Sequence, residues 1–66
     1  METQKWYLIQ GTSQDGNYAF IKCEITDKVV ASFPPVNHTE SNKRIIDLRE
    51  IVDNHNKTVK LLKKYL

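Results

Sequence analysis

The sequence predicts an α+β fold, a three-stranded antiparallel β-meander followed by one long C-terminal helix in the order β-β-β-α. Two observations carry that prediction. Residues 5–33 hold short runs of aromatic and β-branched residues separated by turn-forming residues, the pattern of hairpin strands. From Ile45 to Leu66 the apolar residues instead recur at spacings of three and four, the period of a helix face. A proline pair, Pro34-Pro35, stands between the two regimes.

The first strand is expected over residues 5–12, where aromatic and branched side chains run up to a glycine. Asp15-Gly16 then predicts a two-residue type I′ turn, because both central positions of that turn need positive φ. Gln14 would pair with Asn17, and the return strand would cover residues 17–25. A second turn around Thr26-Asp27-Lys28 leads into a third strand over residues 28–33. Pro34-Pro35 is expected to end the sheet, since proline has no N–H for a ladder.

The helix is expected over residues 41–65, with Asn37 and Ser41 as alternative caps. Ile45, Leu48, Val52, His55, Val59, Leu62 and Leu66 keep an unbroken 3-4-3-4 phase. Asp53, Asn54 and Asn56 are poor helix formers, so a break near Asn54–Asn56 is the alternative.

Alternation along the strands sorts side chains onto two faces. Trp6, Leu8, Gln10, Ile21, Cys23 and Ile25 form one face, expected to be the core under the helix. Tyr7, Ile9, Tyr18, Phe20, Lys22 and Glu24 form the other. The third strand is ambiguous: a two-residue loop sends Val30 to the core, a three-residue loop sends Val29, Ala31 and Phe33. One helix covers only one side of a sheet. An apolar second face is therefore expected to be a protein-binding surface, with Tyr7, Ile9, Tyr18 and Phe20 as its anchors. A helix of about 25 residues also runs roughly 38 Å, against roughly 20–23 Å for the strands. Its last turns should overhang, leaving Leu62, Tyr65 and Leu66 to meet a protein partner or a second copy in a homodimer.

Composition narrows the function classes. The 66 residues make one domain, 1–66, with a single cysteine and hence no internal disulfide. Cys23, flanked at two-residue spacing by Ile21 and Ile25, suits a buried apolar thiol. His38 and His55 stand apart with no short-spaced ligand pair, so no metal is expected. There is no glycine-rich phosphate loop and no nucleophile with a base nearby, so neither cofactor, small-molecule substrate nor enzyme activity is expected. Nor is there an apolar run of membrane-span or signal-peptide length, which points to the cytosol, that of the host if the gene is phage-borne. Net charge is +2. Residues 57–66, KTVKLLKKYL, hold Lys57, Lys60, Lys63 and Lys64 and no acid. These lysines solvate the helix and complement its C-terminal dipole, and they are also the residues a weak DNA- or RNA-binding regulator would use.

In its order of elements the chain resembles the arm-type DNA-binding domains found at the start of some phage and transposon integrases. Those domains read DNA with basic and polar side chains on the sheet, where this chain has Lys22 alone, so the resemblance carries no site residue over. The short lysine- and asparagine-rich layout is similar to that of small accessory proteins of bacteriophages and mobile elements, which implies action by binding a host protein. The sequence thus points to a small non-enzymatic protein-binding module of interaction or inhibitor type.

Overall fold

The computed structural model describes residues 4–66. Residues 1–3 of the expected domain lie outside the described residues. The elements are β1 (Trp6–Ser13), β2 (Gly16–Cys23), β3 (Val29–Val36) and α1 (His38–Tyr65). The strands form one antiparallel sheet in the order β1-β2-β3, with β2 in the middle.

The first hairpin departs from the expected register. Ser13 pairs with Gly16 and Leu8 with Ile21, so Gln14 and Asp15 make the turn. Among these residues positive φ is confined to Gly16, at 128°, so a type I′ turn on Asp15-Gly16 does not form. Close approach adds a second reason for the glycine, because a Cβ there would lie 2.3 Å from the carbonyl oxygen of Val36 on β3. The ladder is displaced by two residues, which preserves every side chain's face.

The return strand ends at Cys23, earlier than expected. Glu24–Thr26 turn away, Asp27 adopts left-handed φ (59°), and the Asp27 N–H donates to the Cys23 carbonyl. Ile25 therefore leaves the sheet and is 69% exposed, not core. On β3, Ala31 and Phe33 face α1, as the longer loop predicted. A register shift between Ile21 and Lys22 pairs Val29 with Lys22 and turns it to the opposite face. Nor do Pro34-Pro35 end the sheet: β3 runs through them to Val36. It is an edge strand, where a residue without an N–H is tolerated.

Helix α1 begins at His38, three residues before the expected start. Asn37 is extended (φ −64°, ψ 165°), and its side chain accepts the Glu40 N–H at 2.9 Å, satisfying a first-turn donor. The helix is unbroken through Asp53–Asn56. Ala19, Ile21, Leu48 and Val52 form the buried cluster, flanked by Trp6, Leu8, Ala31, Phe33 and Ile45. Cys23 and Val59 are also buried. Each full-sized aliphatic side chain among them contributes about 1.5–3 kcal/mol by leaving water.

Polar contacts clamp α1 to the sheet at two points along its length. Arg44 donates from Nη1 to the Pro34 carbonyl (2.8 Å) and from Nη2 to that of Asn17 (3.1 Å), with its guanidinium 5.8 Å from the Phe33 ring centroid. Further along, the His55 ring stacks on Trp6 at 3.5 Å and 7°, and its Nε2 donates to the Gln4 carbonyl at 2.8 Å. The Asn56 carboxamide accepts the Trp6 N–H (2.8 Å) and donates to the Trp6 carbonyl (3.0 Å). The Asp-Asn-His-Asn run that weakens the helix in isolation is what attaches it to β1.

Candidate protein-docking surface

The face of the sheet turned away from α1 brings together Tyr7, Ile9, Tyr18 and Phe20 on β1 and β2. No described element covers it, because the single helix among the described residues packs on the opposite face. Each of the four is half-buried, sheltered by its neighbours on the strands. Tyr18 lies across the sheet from Gly11, and a Cβ on Gly11 would sit 2.2 Å from the phenol ring. The phenol end of the ring thus occupies the space above the glycine and shields backbone that no side chain protects. Phe20 meets it at 5.3 Å and 55°, a tilted aromatic pair. Beyond them a shallow groove runs toward β3 between Tyr18, Phe20, Ser32, Pro34 and Pro35.

A polar corner closes the other end of the face. The Tyr7 hydroxyl donates to the Asp27 carboxylate, and Lys22 Nζ lies 3.9 Å from the same group. That hydrogen bond is the first cause of a Tyr7 pKa raised above the ordinary phenol value, with desolvation and the negative charge of Asp27 adding to it. Asp27, Val29 and the Pro34-Pro35 wall were not singled out in the sequence as part of this face. The parity of Asp27 and Val29 depends on a loop and a bulge that no local motif specifies.

The remaining expected interface residues lie elsewhere. Tyr65 and Leu66, at the end of the overhanging helix, are 81% and 88% exposed, while Leu62 is half-buried. They do not join the aromatic face. The lysines Lys57, Lys60 and Lys64 line one side of this free helix end around the exposed Leu61. Lys63 sits in the last turn, where a cation suits the helix dipole. Among the described residues no group of histidine, cysteine and carboxylate side chains is placed to hold a metal, and no helix is long and apolar enough to cross a membrane. No protein-family model, curated protein sequence or solved structure matches the chain.

Proposed function

We propose that the chain is a small non-enzymatic binding module that docks a partner protein on its uncovered sheet face. The single observation behind this reading is the aromatic pair Tyr18–Phe20, with Ile9 and Tyr7 alongside, on a side of the sheet that the one helix leaves open. Aromatic side chains offer a large contact area at low entropic cost, and they are enriched where proteins meet. The shallow groove lined by Ser32 and Pro34-Pro35 extends the same surface.

The test is the double substitution Tyr18→Ser/Phe20→Ser. The variant should keep the wild-type far-UV circular dichroism, and a partner retained by the wild-type chain in a pull-down should be lost. Loss of the fold would make the pair structural, and retention of the same partner would move the binding site elsewhere; either result overturns the proposal.

A second reading has its own support in the helix end. Residues 54–66 carry four lysines and no acid, and the end of the helix, with Tyr65 and Leu66, is exposed. Weak nucleic-acid binding through Lys57, Lys60, Lys63 and Lys64 should then fall steeply with salt. Titration of a labelled oligonucleotide at low and high salt decides it: no binding at low salt removes this reading.

A further inference from the structure

The two edges of the sheet are unlike. On β3, Pro34 and Pro35 remove two successive N–H groups, and register shifts interrupt the ladder. Such features blunt an edge against pairing with another chain. Edge β1, WYLIQGTS, is eight residues long and holds no proline, no charge and no bulge. The bond from Glu24 N–H to the Lys5 carbonyl shows which β1 residues point their backbone groups inward: Lys5, Tyr7, Ile9, Gly11 and Ser13. Trp6, Leu8, Gln10 and Thr12 point theirs outward. Asn56 satisfies those of Trp6, and no described group bonds those of Leu8, Gln10 or Thr12.

We propose that this edge pairs with β1 of a second copy of the chain, antiparallel and two-fold about Gln10. The spacing is self-complementary. With Gln10 opposite its own copy, Leu8 faces Thr12 and Thr12 faces Leu8, so all the free outward positions bond at once. Trp6, already sealed by Asn56, then falls opposite the Gln14-Asp15 turn and loses nothing. Sliding the pairing by two residues sets Leu8 opposite Gln14 of the turn in one direction and Thr12 opposite the already bonded Trp6 in the other, so either slide leaves a free position unpaired.

Other features of the molecule fit the same partner. Asn42, Ile46, Arg49, Asp53 and Asn56 follow 3- and 4-residue spacing along one flank of α1. At one end of this row Asn42 lines a hollow with Gln10 and Thr12, and at the other Asn56 bonds the outer edge of Trp6, so the row runs above the β1 edge. Ile46, 66% exposed in the single chain, lies within it and would be covered as the two helices come together. On the opposite face Ile9 of the second copy comes beside Gly11 and hence beside the Tyr18 ring. The aromatic faces of both copies join into one surface, although the pairing does not depend on what that surface binds. The chain exposes 4938 Å². A compact monomer of 7.7 kDa exposes only about 4300 Å². The excess, about 600 Å², is some three-quarters of the roughly 800 Å² that each partner gives to a standard interface.

Sedimentation velocity at high micromolar concentration, with amide hydrogen exchange, tests the proposal. The wild-type chain should sediment at twice its 7.7 kDa mass, with Leu8, Gln10 and Thr12 amides protected more strongly as concentration rises. Gln10→Pro removes an outward N–H only, so it should keep the fold and sediment as a monomer. A wild-type chain that stays monomeric, or a folded Gln10→Pro chain that still dimerises, overturns the proposal. Should Gln10→Pro fail to fold, the wild-type exchange decides alone: amides at these positions whose protection is independent of concentration overturn it. The Tyr18→Ser/Phe20→Ser variant should still dimerise, which separates failure of this inference from failure of the docking face.

Discussion

The carboxamide of Asn56 stands where the peptide of a fourth strand would be, accepting from and donating to the same Trp6 backbone. Removing it leaves a partly buried N–H and C=O unpaired. Asn56→Ala should therefore lower stability by about 1–3 kcal/mol, read as a lower urea midpoint. Asn56→Asp should be no better, because a carboxylate recovers the bond from the Trp6 N–H but faces the Trp6 carbonyl with a second acceptor. Tyr7 supplies a pH dependence. Its pKa in the fold is raised by the bond to Asp27, so the unfolded chain loses the phenol proton first. The contribution is complete below the ordinary value of 10.0 and is lost as pH rises through the higher folded-state value. Urea midpoints measured across that alkaline range should fall for the wild-type chain, and Tyr7→Phe should flatten the part due to this group. The buried Trp6 Nε1 has no hydrogen-bond partner among the described residues, while its ring is held by the stack on His55.

Helix α1 divides into a clamped part and a free part. Val59 is completely buried, so Val59→Ala should cost about 1.5–3 kcal/mol in thermal or urea unfolding. Deleting residues 63–66 removes exposed side chains and the last turn of helix bonds, ending in Leu66 N–H to the Leu62 carbonyl, and should change stability by no more than about 0.5 kcal/mol. A large loss on deletion would mean that the helix end packs on the sheet. The contrast also shows what was legible in the chain. The helix could be read because its apolar phase survives the polar Asp53–Asn56 run, and tertiary bonds from His55 and Asn56 then outweigh weak propensity. The two sheet faces on β1 and β2 could be read because alternation has a period of two and the actual register differs from the expected one by two. The turn itself could not, since Asp15-Gly16 marks a glycine requirement without saying whether the turn or the neighbouring Val36 imposes it. Strand β3 was the least legible: its faces follow from a five-residue connection and a bulge, and Pro34-Pro35 mark an edge as readily as an end.

The whole molecule is elongated, 44 × 21 × 13 Å, with a radius of gyration of 13.3 Å. A compact chain of this length has about 11 Å. Its charge is as uneven as its shape. Residues 1–53 hold six bases and eight acids, a net −2, and residues 54–66 hold four lysines, a net +4, summing to the +2 of the chain. The positive pole lies at the free helix end, away from the aromatic face. Charges placed beside a contact mainly steer encounter, while buried aromatic anchors govern how long the complex lasts. For an acidic partner docked on the proposed face, replacing Lys57, Lys60, Lys63 and Lys64 with glutamine should therefore slow association and flatten its salt dependence, leaving the dissociation rate unchanged. Surface-immobilised partner and rapid-mixing measurements at low and high salt give both rates. Beyond a Debye length of about 8 Å at physiological salt the steering is screened, so the variant and wild-type association rates should converge as salt rises. If dissociation accelerates instead, the lysines touch the partner, and the docking surface has to reach from the sheet to the helix end.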